Sequence, residues 1–430
     1  MKKTYIIGLL ALSVASCKPK IEPETPQKGD ADFTRYLAVG NSLTSGYADG
    51  SLYRSGQINS YPAMLAGQFK LVGGGDFKEP LLPGESGWPG PKRVLAVVNG
   101  SLAPVFATQN DTAGSAVNIA SQGPFNNTGV PGIRCIDYLY PGYGMLNPYA
   151  ARFYSNPATE KPLDEALKIN ATFFSMWLGN NDVLGYATAG GEGVVGGGTN
   201  LTDISNTAAF EASYNATVEA LTAHGAKGVL INIPDVTTIP YFTTIPINGL
   251  VLTRQGQVDS LNAAYAPVGI TFTLGQNYFI IQDVNSPVGF RQAKEGELLI
   301  LTTPQDSLRA GWGSIRPIPK QFVLDATEIA NVKSATADFN QIIQTAATNY
   351  KLAYVDINAY LKTFSSGVIY NGVTFTTTYV SGGTFSLDGV HLTQRGYALA
   401  ANEMIRTINA YYHSSIPTVD VNKYNGMLFP

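Results

Sequence analysis

Apolar residues along the chain fall into short continuous runs separated by stretches of helical period. The run Tyr36–Val39, closed by Gly40, predicts a first buried strand. Ala171–Leu178 predicts a second strand, Gly228–Ile233 a third and Leu352–Ile357 a fourth. Between the second and third, Phe210, Tyr214, Val218 and Leu221 recur every three or four residues, one face of a helix that stops at Gly225. A second helix is predicted from Asp325 to about Tyr350. Asp325 with Glu328 three residues on is an N-cap signature, and Ile329, Val332, Phe339, Ile342 and Ala346 form the apolar face. Asn371-Gly372 within Val368–Val380 predicts a hairpin turn, and a last helix spans about Thr393–Tyr412. Strands alternating with amphipathic helices predict an α/β domain built on a parallel sheet.

Three stretches fall outside that alternation. Gly185–Asn200 holds seven glycines and contains Gly191-Glu-Gly193-Val-Val-Gly196, the spacing of a dinucleotide fingerprint. No strand leads into it and no helix follows directly, so a mobile surface loop is expected instead. Residues 236–324 carry a mixed pattern, which predicts an insertion with small strands of its own and a candidate lid. Residues 1–16 read as an export signal: Lys2 and Lys3, an apolar run from Tyr5 to Leu12, then small residues before Cys17. Val14-Ala15-Ser16-Cys17 resembles the bacterial lipobox, which implies lipid attachment at Cys17. The alternative is an ordinary secretory signal cut nearby. Residues 17–31 are then a polar, proline-punctuated tether to the membrane.

Composition narrows the partners. Lys and Arg number 28 against 31 Asp and Glu, a net charge of −3, so no basic face is available for nucleic acid. With 2 Cys and 3 His, neither a disulfide scaffold nor a zinc-ligand cluster can be assembled. Cys135 is left as a lone thiol, and the fold is expected to rest on packing.

Four short blocks could carry chemistry. Gly40-Asn41-Ser42 puts a serine on the turn after the first strand, at the carboxyl edge of an open sheet where ligands bind. Asp388-Gly-Val-His391 lets a carboxylate orient an imidazole, as a general base for serine requires. His224 at a helix end and His413 near the chain end lack a carboxylate close in sequence. Gly179-Asn180-Asn181-Asp182 offers an Asn side chain at a strand end, able to donate to a developing oxyanion. Asn127-Thr-Gly129-Val-Pro131-Gly132 is a glycine turn able to aim a backbone N–H. Each block alone is also an ordinary turn or cap.

Taken in order, these blocks resemble the SGNH/GDSL hydrolase family over roughly Tyr36 to Tyr412. The resemblance implies a flavodoxin-like three-layer α/β/α sandwich with a central parallel sheet. It implies a serine ester hydrolase domain over 32–430, with the insertion at about 236–324, acting through an acyl-enzyme and without metal or cofactor. By motif, Ser42 is the nucleophile, His391 the base and later the acid, and Asp388 its orienting partner. The oxyanion hole comprises the N–H of Ser42, the N–H of Gly132 and the side chain of Asn181, with Gly129 competing with Gly132. The first block departs from the family's usual Gly-Asp-Ser by carrying Asn41.

The expected substrate is a carboxylic ester of a small molecule, lipid or acylated glycan, met at the bacterial envelope by a lipid-anchored enzyme. Alternatives are a carbohydrate O-deacetylase of the same family, or a non-catalytic glycan-binding lipoprotein on the same fold. Tyr138, Tyr140, Tyr143, Tyr149, Phe153 and Tyr154 could line an acyl pocket or stack on sugar rings; they could equally pack an irregular loop.

Overall fold

The structure, a computed structural model, describes residues 25–108 and 113–430. The expected signal and Cys17 lie outside the described residues. Four parallel strands form the central sheet: β1 (Tyr36–Gly40), β2 (Phe173–Trp177), β3 (Lys227–Ile231) and β4 (Ala353–Val355), side by side in that order. Every residue of β1 and β2 is buried, which is why both read as unbroken apolar runs rather than alternating ones. Outside β1 the chain from Asn126 to Val130 runs alongside as a fifth, irregular edge. Ala38 N–H donates to Asn126 O at 2.8 Å, Thr128 N–H to Ala38 O at 2.9 Å and Val130 N–H to Gly40 O at 3.0 Å.

Helices cover both faces. On one, α1 (Tyr61–Lys70) packs against α4 (Gln394–Tyr412); on the other, α2 (Thr207–Thr222) packs against α3 (Ala326–Asn349). Phe173 of β2 meets Phe69 of α1 and Tyr412 of α4 edge-on. Phe210 of α2 stacks on Phe339 of α3 with ring centroids 4.1 Å apart. The architecture is the predicted three-layer α/β/α arrangement. On α3 the fully buried position is Ile343, with Ile342 only partly covered, a one-residue drift of the predicted stripe.

The glycine-rich stretch differs from its expectation as a mobile loop. Asn181–Thr188 is helical. The remainder is folded around one carboxylate: Asp203 accepts the N–H groups of Val194 at 2.9 Å, Gly198 at 3.1 Å and Asn200 at 3.0 Å. Residues 236–324 form small antiparallel pairs: Leu250–Leu252 with Gly275–Asn277, Ile280–Gln282 with Phe290–Gln292, and Leu298–Leu299 with Val323–Leu324. They carry two apolar clusters of their own, one around Phe279, Leu299 and Ile318, the other around Leu252, Tyr265 and Phe272. No helix among the described residues is long and apolar enough to cross a membrane.

Candidate active site

Ser42 stands at the carboxyl end of β1 as the first residue of a short helix, Ser42–Ser45. Asn41 makes that turn. Its side-chain oxygen accepts Leu43 N–H at 3.0 Å and its amide donates to Asn180 Oδ1 at 2.9 Å, tying the serine block to the Gly-x-Asn-Asp block. Gly129 lies against the same helix so closely that a Cβ there would come within 2.5 Å of Ser45 N.

The two ends of the sequence meet at Ser42. His391 Nε2 is 2.8 Å from Ser42 Oγ, although the residues are 349 positions apart, and His391 Nδ1 is 2.8 Å from Asp388 Oδ2. An ionised carboxylate only accepts, so Nδ1 carries the proton and Nε2 is free to take one from Ser42. Asp388 Oδ1 also accepts Ser386 Oγ–H at 3.1 Å and the N–H groups of Val390 and His391, both at 2.8 Å. Its Oδ2 accepts Gly50 N–H at 2.8 Å. Burial alone would raise this carboxyl. The neighbouring His391 and these hydrogen bonds outweigh burial and hold it well below the usual carboxylate range.

Asp49, in the left-handed conformation that Asp tolerates, clasps the Asp388 loop. It accepts Leu387 N–H at 3.0 Å and its own N–H donates to Ser386 Oγ at 2.9 Å. The ring of Tyr47 lies 4.6 Å from that of His391. Sequence reasoning missed Tyr47, Asp49, Gly50 and Ser386. None sits in a recognisable motif, although Asp49-Gly50 is a turn signal next to the nucleophile.

The oxyanion candidates separate by where their donors go. Gly129 N–H already donates to Asn127 Oδ1 at 3.0 Å. Gly132 adopts φ +83°, and no acceptor among the described residues takes its N–H. Asn147 braces that turn by donating to Pro131 O at 2.9 Å. Asn181 donates through Nδ2 to Ile133 O at 2.8 Å, which links it to the glycine turn and leaves its second amide hydrogen available. Behind both, Asp182 is fully buried and accepts Cys135 N–H at 2.6 Å. Burial pushes its carboxyl up to about 7. Burial likewise pushes the Cys135 thiol far up, so that thiol is an unreactive core group.

The remaining candidates resolve into packing. Tyr138, Tyr143, Phe153 and Tyr154 are buried in the core, and Tyr140 points to solvent. Tyr149 packs edge-on to Trp88, so this tyrosine cluster does not line the space beside His391. His224 is exposed, and His413 is 2.8 Å from Asp30, a carboxylate 383 positions away. No group of three or more His, Cys, Asp or Glu among the described residues is arranged to hold a metal ion.

A cleft of about 990 Å³ opens beside His391, lined by Tyr47, Arg93, Tyr241 and Tyr379 and roofed by insertion residues such as Phe279 and Leu308. A much smaller pocket, about 40 Å³, opens at Ser42 between Asn181, Leu184, Val236, Phe385 and His391.

Two solved structures are similar over most of this chain. An extracellular lipase from Streptomyces rimosus shares 13% identity at a TM-score of 0.35, covering 86% of this chain and 98% of its own. A candidate GDSL-like lipase from Parabacteroides merdae shares 12% identity at a TM-score of 0.35, covering 89% and 99%. No curated protein matches the chain in sequence. The family model for GDSL-like lipase/acylhydrolase matches residues 36–404, a span that runs from β1 through the serine, glycine, asparagine and histidine blocks into α4. The chain therefore belongs to the GDSL-like lipase/acylhydrolase family, hydrolases of the SGNH type.

Proposed function

We propose that this protein is a serine carboxylic-ester hydrolase using Ser42, His391 and Asp388. The observation that carries the reading is the continuous chain of 2.8 Å contacts from Ser42 Oγ through the imidazole to Asp388. His391 Nε2 takes the serine proton as Oγ attacks the ester carbonyl. Asp388 keeps Nδ1 protonated and stabilises the imidazolium. The oxyanion draws on the N–H groups of Ser42 and Gly132 and on the amide of Asn181. His391 then passes its proton to the departing alcohol, and a water molecule repeats the path on the acyl-enzyme. The chain's own groups supply every step, with no metal or cofactor required.

The same reading puts the enzyme at the bacterial envelope, with residues 1–16 removed, Cys17 lipidated and a tether shorter than the expected 17–31, because Asp30 N–H donates to Tyr412 O at 2.8 Å and Ala31 is buried against the domain. The residue pattern of that segment supports this part, and labelling of cells with a radioactive fatty acid, lost in Cys17→Ser, tests it. For the chemistry, Ser42→Ala should abolish hydrolysis of p-nitrophenyl acetate while circular dichroism stays native. A fluorophosphonate probe should label the wild type at Ser42. Retained turnover in Ser42→Ala would overturn the assignment, and an unlabelled wild type would favour a binding protein.

A further inference from the structure

The two spaces at the site are unequal, and the geometry of ester cleavage says which half of the substrate each receives. The departing oxygen must lie within reach of His391 Nε2 to collect its proton. His391 borders both spaces, and the one it shares with Tyr47 and Asp388, the cleft of about 990 Å³, is the one with room for a bulky alcohol. With the carbonyl oxygen turned toward Asn181 and Gly132, the acyl chain is left with the pocket of about 40 Å³ at Ser42. A water-sized group needs about 10–15 Å³, so the pocket has room for roughly three such groups, an acetyl rather than a fatty chain. Its walls are apolar: Leu184, Val236, Ile239, Leu361 and Phe385.

The large cleft carries an unspent cation. Arg93 begins the hairpin formed by Arg93–Val98 and Ser101–Phe106, and its guanidinium stacks over Phe106 at 5.2 Å. Its backbone N–H donates to Asp49 O. Its side chain forms no ion pair and no hydrogen bond among the described residues. Its Nη1 is held over the turn that binds Asp388: a Cβ on Gly50 would fall 2.3 Å from it. It shares the cleft wall with three tyrosines, Tyr47, Tyr241 and Tyr379. The Tyr241 and Tyr379 hydroxyls are engaged with Thr302 and with Leu387 O. Arg309 also lines the cleft, but its side chain is largely exposed and lies 2.8 Å from Asp306. A planar guanidinium without a partner, fixed above aromatic walls, matches a carboxylate or phosphate on the incoming molecule.

Resting on the reading of the site as an ester hydrolase, we infer that its substrate is a short-chain, acetyl-sized ester of a bulky alcohol that carries an anionic group bound by Arg93. The test uses the intact protein and two series of esters. p-Nitrophenyl acetate, butyrate and octanoate vary the acyl chain. O-acetyl methyl glucoside, O-acetyl methyl glucuronoside and O-acetyl methyl glucoside 6-phosphate vary the alcohol's charge, the last two separating carboxylate from phosphate. kcat/KM should fall at least about tenfold from acetate to octanoate. It should be at least about tenfold higher for one anionic alcohol than for the neutral one. Arg93→Gln should bring that anionic-to-neutral ratio close to one through KM, and Arg93→Lys should recover part of it. Octanoate cleaved as well as acetate, or a ratio unmoved by Arg93→Gln, would overturn the inference while leaving the hydrolase reading standing. Failure of every ester together with no fluorophosphonate label at Ser42 would remove both.

Discussion

Asn41 stands where the family's first block usually has aspartate, and its contacts show what the amide does. One end caps the serine turn at Leu43 N–H, as either residue could; the other donates to Asn180, which a carboxylate could not. The substitution thus joins two blocks on neighbouring strands rather than altering the nucleophile. Asn181 illustrates the same economy of donors. One amide hydrogen pins Ile133 O and the other is left without an acceptor among the described residues. Asn181→Ala should therefore lower kcat by about 10²–10³ with a smaller change in KM, because the contact forms only as charge develops on the carbonyl oxygen. Steady-state kinetics on p-nitrophenyl acetate would read this, and a change confined to KM would contradict it. The choice between Gly129 and Gly132 was not legible in sequence, since both sit in the same turn. Only the hydrogen bond that takes Gly129 N–H to Asn127 separates them.

At the scale of elements, legibility followed burial. The four sheet strands read clearly because both their faces are covered. Helix α3 read clearly because its ends are marked: Asp325 accepts Thr327 and Glu328 N–H at 2.9 and 3.0 Å, and Glu328 returns a bond to Asp325 N–H at 2.8 Å. Asp325→Ala should lower stability by about 1 kcal/mol. A urea midpoint shift with unchanged slope would measure it, and no shift would mean that Lys320, 2.6 Å from Glu328, holds that end alone. Helix α1 was missed because its buried residues, Tyr61, Pro62, Met64, Leu65, Ala66 and Phe69, do not form a narrow stripe. The hairpin of Arg93 was missed because Val97, Leu102 and Phe106 face solvent. Its Asn99-Gly100 turn was the available signal.

Across the whole molecule, two buried carboxyls couple folding to pH. Burial raises Asp182 to about 7 and Glu79 to about 7. Each holds its proton in the folded chain at pH values where the unfolded chain has lost it. Folding then takes up protons between the unfolded values near 4 and about 7. The resulting stability is complete below that window and is lost as pH rises through it. Thermal midpoints should therefore fall from about pH 5.5 to about pH 8, and Asp182→Asn should flatten the decline. A midpoint independent of pH over that range would contradict both assignments. Asp388 works in the opposite sense. Held low, it contributes stability above its unfolded value that is lost only as pH falls into the acid range.

Sequence alone determined the α/β alternation, the parallel sheet, and the identities of Ser42, His391 and Asp388 as candidates. These depend on local period and on short motifs, which are properties of neighbouring residues. Tertiary structure decided what those motifs share. It closed 349 positions between Ser42 and His391 to one hydrogen bond and enlisted Asp49 and Gly50 to hold Asp388. It sent Tyr138, Tyr143 and Tyr154 into the core, and brought Arg93 and the insertion together around one cleft. Local pattern carries no record of such juxtapositions, because they form only when separate elements bury their apolar faces against the same sheet.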